Sequence, residues 1–191
     1  MPRWEPGARE RLQATTLALF AERGFDATTV AEIASRAGLT ERTFFRYFAD
    51  KREVLFTGQD VFEGMFVDHI VAAPPDTEPF AVVAGAVRAV AADFFPAERR
   101  LFSQQRQSII DATPGLQERE LLKLAGLTRA MADALRKRGT PEHTAELGAE
   151  CGLTIFRVAF SRWVEGGDGD DMAAIVDTVV ADLRALTAPP H

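Results

Sequence analysis

The sequence predicts an all-α protein with a small N-terminal head and a larger helical body. Three observations support this fold class. Apolar residues recur at intervals of three and four along nearly the whole chain, as in amphipathic helices. The alternation of β-branched residues that is typical of strands occurs only in short runs. Prolines and glycines separate the periodic segments from one another.

Two helices are predicted at the start of the chain. The first covers about residues 9–23 and ends at Gly24, because glycine favours the backbone of a helix C-cap. Thr29 and Glu32 have the spacing of a capping box, in which each residue satisfies a backbone donor at the start of a helix. A short second helix is therefore expected after Thr29.

A third short helix follows after a sharp turn. Gly38 permits the left-handed backbone that such a reversal needs, and Thr40 caps a helix that starts at Glu41. Two short helices joined by a glycine-containing turn and braced by a preceding helix define a helix-turn-helix, whose second helix enters the major groove of DNA. The spacing alone leaves open two packed helices of an unrelated bundle.

The remaining residues form a helical body. Asp50 to Glu53 is another capping box, and it predicts a long helix that extends to about Val71. Pro114 and Pro141 each follow a threonine and are expected at the first position of a helix. The later helices are predicted at residues 78–95, 97–111, 114–138, 141–165 and 170–187.

Charge is distributed unevenly along the 191 residues. The net charge is −6, but residues 1–55 contain nine Lys or Arg and eight Asp or Glu, a balance of +1. The remainder contains 13 basic and 20 acidic residues, a balance of −7. The acidity therefore belongs to the body, and the head remains able to approach a polyanion.

The residues of the head are more specific than their spacing. Residues 28–40 read TTVAEIASRAGLT, residues 43–48 read TFFRYF, and Lys51 follows. This run closely resembles the head of the TetR-like (tetracycline repressor) family of bacterial regulators, over about residues 9–57. The resemblance implies a DNA-binding domain at residues 1–52 and a ligand-binding and dimerisation domain at residues 53–191.

The expected DNA contacts lie mainly on the third helix. Arg42 is the first choice for reading a base, because arginine donates two hydrogen bonds to guanine, although a phosphate-facing or solvated arginine is the alternative. Phe45 stands where the family commonly has tyrosine, so its role stays open between packing and a thymine-methyl contact. Thr29, Thr40, Tyr47 and Lys51 are expected to contact phosphates, because hydroxyls, helix N-termini and an ammonium suit anionic oxygens. The complete predicted set is Thr29, Thr40, Glu41, Arg42, Thr43, Phe45, Arg46, Tyr47 and Lys51.

The body is expected to form a homodimer and to bind a small molecule. The last two helices carry the candidate dimer surface, and the resemblance implies a four-helix bundle between subunits. Two groups of residues mark that surface: Met172, Ile175, Val176, Val179, Val180, Leu183 and Leu186, and Gly148, Cys151, Gly152, Ile155, Ala159 and Trp163. An apolar or amphipathic effector is expected among Phe62, Phe66, His69, Phe102, Gln105, Arg106 and Phe156, with an anionic end near Arg106.

Other function classes find little support in the sequence. No nucleophile motif or glycine-rich phosphate loop is present, so no catalytic residue, cofactor or metal site is expected. The acidic residues Asp168, Asp170 and Asp171 lack the later ligands of a calcium loop. With one cysteine and no long apolar run, we expect a cytoplasmic protein that spans no membrane. The predicted function is a transcriptional repressor released from a palindromic operator by its effector; the alternative is a purely structural helical dimer.

Overall fold

The computed structural model describes residues 7–167 and 169–188, and within these ranges every regular element is a helix. A single 3₁₀ turn at Ala97–Arg99 precedes α6. The helices are α1 (Ala8–Arg23), α2 (Val30–Arg36), α3 (Glu41–Tyr47), α4 (Gln59–Ala72), α5 (Pro79–Phe94), α6 (Arg100–Asp111), α7 (Pro114–Lys137), α8 (Glu142–Glu165) and α9 (Met172–Thr187). The all-α fold predicted from the sequence is confirmed.

Most predicted helix ends are confirmed, but the start of the fourth helix is wrong. Asp50 does accept the backbone N–H groups of Arg52 and Glu53, at 2.7 and 3.0 Å, as the capping box predicts. The chain then makes turns rather than an α-helix, because Gly58 adopts a φ of 84° that an α-helix excludes. Helix α4 begins after this glycine. Pro141 was expected at the first position of a helix, but it lies one residue before α8 begins.

The chain forms two compact units. The first contains Met1–Thr57 together with Gln105–Glu120, and the second contains Gly58–Gln104 together with Leu121–His191. The first unit thus includes a segment that the sequence assigned to the body. The continuous helix α6 contributes its first residues to the second unit and its remaining residues to the first.

Helix α5 lies at the centre of the second unit. It packs against α4, α8 and α9, and its residues Val83, Val87 and Val90 are fully buried. Glycines of α8 permit close contact with its neighbours: a Cβ at Gly148 would lie 3.2 Å from a side-chain carbon of Leu135. At Gly152, an added Cβ would overlap Cγ1 of Val83. The small residues of α8 are therefore required inside the subunit.

Aromatic side chains form a continuous cluster in the same unit. Phe62 lies 5.0 Å from Phe66 and 5.3 Å from Phe156, measured between ring centroids. Phe95 in turn lies 5.9 Å from Phe156 and 5.6 Å from Trp163. These separations are typical of favourable edge-to-face and tilted ring pairs. We define the aromatic cluster as Phe62, Phe66, Phe94, Phe95, Phe156, Phe160 and Trp163.

The structure corrects the predicted dimer surface. Most of its residues are buried in the core of the single chain, as Trp163 and Val176 are at 0% exposure. Ile175, Val180, Leu183 and Cys151 are half-buried, and Leu186 is 82% exposed. The outward faces of the two helices instead carry two stripes with the 4,3-spacing of a packed helix face: Leu147, Cys151, Thr154, Val158 and Ser161 on α8, and Ala174, Thr178, Ala181 and Ala185 on α9.

None of the described helices is by itself both long and apolar enough to cross a membrane. Helix α5 and the segment Ala97–Asp111 satisfy the length and composition criteria only as a pair, and they are bent by 75°.

Replacement of Gly152 by alanine tests the close packing of α8. The new methyl group overlaps the buried Val83 side chain, so we expect Gly152→Ala to lower the free energy of unfolding by about 1 to 3 kcal/mol. Urea denaturation followed by circular dichroism measures this change.

Gly64 provides the matched control. It lies inside α4, and an added Cβ there meets no atom within 4 Å. Gly64→Ala is therefore expected to stabilise the protein by about 0.5 to 1 kcal/mol through helix propensity. Equal effects of the two substitutions would contradict the packing described for α8.

Candidate nucleic-acid interface

The core of the first unit fixes the positions of its three short helices. Leu12 of α1, Ile33 of α2 and Phe44 of α3 are all fully buried. Phe44 also packs against Phe48, with ring centroids 5.4 Å apart. Because one face of each helix is buried in this core, the opposite face of α3 is directed to solvent. Leu39, in the turn between α2 and α3, is half-buried.

The turn between α2 and α3 is set by Gly38. Its φ of 69° lies in the left-handed region, which costs glycine little and most other residues more. The N–H of Leu39 donates to the carbonyl of Ala34 at 2.9 Å, and that of Gly38 donates to Ser35 at 3.0 Å. These two bonds form a Schellman motif, which ends α2 and reverses the chain.

Two threonine caps start the helices on either side of the turn. The Thr29 hydroxyl accepts from the N–H of Glu32 at 3.2 Å, and the Glu32 carboxylate accepts from the N–H of Thr29 at 2.9 Å. The predicted capping box is therefore confirmed. At α3 the Thr40 hydroxyl accepts from the N–H of Thr43 at 3.2 Å and shares a further hydrogen bond with the Thr43 hydroxyl at 3.1 Å. One of those two hydroxyl protons stays free for another acceptor.

Ion pairs that the sequence analysis did not identify join α1 to α2. Arg36 donates two hydrogen bonds to Glu22, at 2.5 and 2.7 Å, and Arg23 donates to Glu32 at 3.0 Å. The hydrogen bond from Arg36 is the main cause that lowers the pKa of Glu22 below its usual value. The partners are 9 and 14 residues apart, so no local sequence pattern indicates them.

The structure brings most of the predicted DNA-contacting residues to one exposed surface. Thr43 and Tyr47 are half-buried, and Phe45 is 55% exposed although it is large and apolar. Within the described part of the chain, Arg42 has no hydrogen-bond or ion-pair partner. We define the α3 surface as the exposed or half-buried residues Thr40, Glu41, Arg42, Thr43, Phe45, Arg46 and Tyr47.

Arg46 and Tyr47 form a pair on the α3 surface. The Arg46 guanidinium lies 4.8 Å from the centroid of the Tyr47 ring and donates to its hydroxyl at 3.1 Å. The stacking orients the guanidinium, and its remaining N–H groups are available to an acceptor outside the protein. Arg42 lies one turn earlier, so two cations share one side of α3.

Lys51 has a structural position. Its Nζ donates to the carbonyls of Phe25 and Thr28 at 2.7 and 2.8 Å, and to that of Asp26 at 3.4 Å. The same ammonium lies 4.3 Å from the Phe25 ring centroid. An ammonium has three N–H groups, so these carbonyls occupy its full donor capacity. This geometry disfavours the phosphate contact predicted for Lys51 and favours a role in closing the loop between α1 and α2.

The residues predicted to bind a ligand do not all belong to one unit. Phe62, Phe66 and Phe156 lie in the aromatic cluster, and His69 and Phe102 are half-buried members of the same unit. Gln105 and Arg106 belong to the first unit.

Arg106 is engaged by residues of the first unit. It donates to the carbonyl of Leu55 at 2.7 Å and to the Glu120 carboxylate at 3.0 Å. Burial lowers the pKa of its guanidinium, and the charge of Glu120 opposes that effect. Arg119 pairs with Glu53 nearby in the same unit. An anionic ligand at Arg106 would compete with these partners.

Comparison with known proteins identifies the family. The family model for bacterial regulatory proteins of the tetR family matches residues 12–57, and a model for the MftR C-terminal domain matches residues 77–188. The chain belongs to the TetR family. It is a transcriptional regulator of that family, with the helix-turn-helix formed by α2 and α3 as its DNA-binding element.

Individual transcriptional regulators are similar to parts of this chain. The chain is 37% identical over 82 residues to the HTH-type transcriptional regulator TcmR of Streptomyces glaucescens, a match that covers 43% of this chain and 36% of TcmR. It is 27% identical over 150 residues to the regulator MftR of Mycobacterium tuberculosis, covering 76% of this chain and 72% of MftR.

The fold is shared with a solved structure of a transcriptional regulator. FadR of Bacillus subtilis, a transcriptional regulator solved in complex with stearoyl-CoA, superposes with a TM-score of 0.60 at 17% identity. The superposition covers 91% of this chain and 96% of FadR. At this identity the likeness establishes the fold.

Substitution of Lys51 separates a structural role from a phosphate contact. Lys51→Met leaves three carbonyls without their donor, so we expect the free energy of unfolding to fall by about 1 to 3 kcal/mol. Arg42→Met is the control, because Arg42 is exposed, and its effect should stay within about 0.5 kcal/mol. Urea denaturation of the two variants gives the comparison.

A different result would support the phosphate contact predicted for Lys51. In that case Lys51→Met unfolds like the unchanged protein, and the slope of log affinity for DNA against log salt falls by about one unit.

Proposed function

We propose that this TetR-family protein is a repressor that binds a near-palindromic operator as a homodimer and is released by an amphipathic effector. The single observation that carries the DNA-binding part is the α3 surface. Its exposed arginines extend from a helix that the Gly38 turn and the Phe44 packing hold in a fixed orientation. A rigid helix with free donors is suited to base edges in the major groove.

The α3 surface divides into base-reading and positioning residues. Arg42 lies near the N-terminus of α3, which helix-turn-helix proteins direct at base edges, and no group in residues 7–167 or 169–188 bonds to its donors. Arg46, oriented by Tyr47, and the shared hydroxyls of Thr40 and Thr43 are suited to phosphate oxygens. Phe45 is the remaining exposed apolar group, and a thymine methyl is the base feature that it fits.

A dimer is required because one short helix reads few bases, whereas two heads about 34 to 36 Å apart meet successive major grooves. The outward stripes of α8 and α9 provide the surface for it. Val158 is 38% exposed and Leu147 is 67% exposed, and small residues on α9 permit a close approach of helices. The pairing of Arg162 with Asp182 at 3.1 Å lies beside the stripes and joins the two helices within one subunit.

The effector is proposed to bind in the second unit. FadR of Bacillus subtilis holds stearoyl-CoA, so this fold accommodates a long apolar chain with a polar head. The aromatic cluster offers this chain an apolar environment of the same kind. Helix α6 supplies a physical route for coupling, because it continues from the second unit to Arg106 in the first. A coupling free energy of about 1 to 3 kcal/mol changes operator affinity by about 5- to 150-fold.

The base-reading role of Arg42 is tested with an operator that the protein selects from random DNA. Arg42→Ala removes a bidentate donor, so we expect about 1 to 3 kcal/mol weaker binding and relaxed preference at one position of each half-site. Repeated selection with the variant, together with titrations at fixed salt, measures both quantities.

Arg129→Ala is the matched control, since Arg129 is an exposed arginine of α7 in the second unit. Its operator affinity and base preference should equal those of the unchanged protein. If the unchanged protein binds every sequence with the same weak affinity, the proposed regulator function is wrong and the structural dimer becomes the better reading.

The dimer surface is tested by a charge on α8. Val158→Asp places a carboxylate in the middle of the proposed interface, so we expect the mass from light scattering to fall from that of a dimer to that of a monomer. Operator binding should fall with it, because the two half-sites are no longer bound together.

Leu101→Asp on α6 is the control, because Leu101 is 70% exposed and lies outside the stripes. It should remain dimeric. The single cysteine gives a second readout: a bifunctional maleimide should link two subunits through Cys151. A Val158→Asp protein that stays dimeric, or Cys151 that forms no cross-link, would contradict the proposed surface.

A further inference from the structure

The start of α6 holds a buried positive charge, that of Arg100. Arg100 is only 5% exposed, and its Nε and Nη1 atoms have no hydrogen-bond partner among the residues that the structure describes. Ser103, one turn further along α6, is also buried. A buried guanidinium is strongly unfavourable unless acceptors replace the water that it has lost. Arg100 is therefore prepared for an anion.

Two neighbouring features add positive potential at the same place. Arg100 is the first residue of α6, a helix of 12 residues whose dipole gives this end a partial positive charge, while its own backbone N–H donates to the carbonyl of Ala97. The guanidinium of Arg99 lies 4.1 Å from the centroid of the Phe94 ring. The adjacent carboxylate of Glu98 is exposed, and neither Nε nor Nη1 of Arg100 bonds to it.

The aromatic cluster contacts Arg99, the residue that precedes Arg100 in the chain. Phe94, which Arg99 contacts, lies 5.0 Å from Phe62 and 5.1 Å from Phe95 between ring centroids. Gln104, one turn after Arg100, donates to the carbonyl of Val164 at 2.6 Å and so holds the start of α6 against the end of α8. All of these residues belong to the second unit. A site for an anion and a site for an apolar chain thus adjoin each other.

We propose that Arg100 binds the oxyanion of an amphipathic effector whose apolar part packs on the aromatic cluster. This inference rests on the proposed function and specifies the chemistry of its effector. A guanidinium N–H donates a charge-assisted hydrogen bond to a carboxylate or to a phosphate oxygen, so either head group suits Nε and Nη1 of Arg100, which have no partner among the described residues. Arg106, which the sequence suggested for this role, already has Glu120 as its partner.

Calorimetry on the full chain without DNA tests the ligand. Decanoate provides a carboxylate, lauroyl-coenzyme A provides phosphates, and decanol is the neutral amphiphile. We expect at least one of the two anions to bind, with an affinity that Arg100→Met lowers by about tenfold or more, while decanol binds weakly and equally to both proteins. The anion that depends on Arg100 identifies the head group.

Three results would overturn the inference. These are that neither anion binds, that Arg100→Met binds both as tightly as the unchanged protein, or that decanol binds as tightly as the anions. Inorganic phosphate is the fourth ligand in the calorimetry. If phosphate binds as tightly as the amphiphiles, the apolar part of the ligand contributes nothing to binding and an amphipathic effector is excluded.

Thermal unfolding without ligand gives an independent test. Methionine fills a similar space and needs no acceptor, so Arg100→Met should unfold about 2 to 4 °C above the unchanged protein. Arg157→Met, at an exposed position of α8, is the control and should leave the unfolding temperature unchanged. A lower unfolding temperature for Arg100→Met would show that groups of the protein satisfy Arg100, and the inference would be wrong.

The two proposals fail separately. The effector experiments contain no DNA. If the protein selects an operator but binds no anion through Arg100, the proposed regulator function stands and this inference is wrong. If the protein binds the anion through Arg100 but selects no operator, this inference stands and the proposed operator binding is wrong.

Discussion

The reversal of the chain at Gly38 is the constraint on which the DNA-binding surface depends. The left-handed backbone of this residue and the two Schellman hydrogen bonds end α2 abruptly. Burial of Ile33 and Phe44 then fixes α3 against α2. These interactions leave α3 only one face for solvent, and that face carries the free donors of Arg42. A longer or more flexible connection would lose the fixed orientation that a major-groove helix requires.

Arginines of similar appearance in the sequence have different physical roles in the structure. Arg36 and Arg106 are neutralised by carboxylates and stabilise the first unit. Arg42 is exposed and free, which suits a contact with DNA. Arg100 is buried without acceptors for two of its donors, which suits an anionic ligand. The partner of each guanidinium, rather than its charge, therefore indicates its function.

Local signals in the sequence predicted most of the fold, and long-range contacts account for what was missed. Capping at Thr29 and reversal at Gly38 depend on residues a few positions apart, so both were predictable. The burial of Trp163 depends on packing between distant helices, and the sequence could not show which apolar face of α8 is internal. Lys51 was likewise predicted to bind phosphate, because its three carbonyl partners lie 23 to 26 residues away and no local pattern indicates them.

The most direct test is an NMR titration of the 191-residue chain with its selected operator. The backbone amides between Thr40 and Tyr47 should show the largest chemical-shift changes, in a stoichiometry of one duplex to two chains. The amides of α8 should change little. Changes that are largest in the body, or absent from α3 at saturating DNA, would contradict the claim that the Gly38 turn presents a DNA-reading helix.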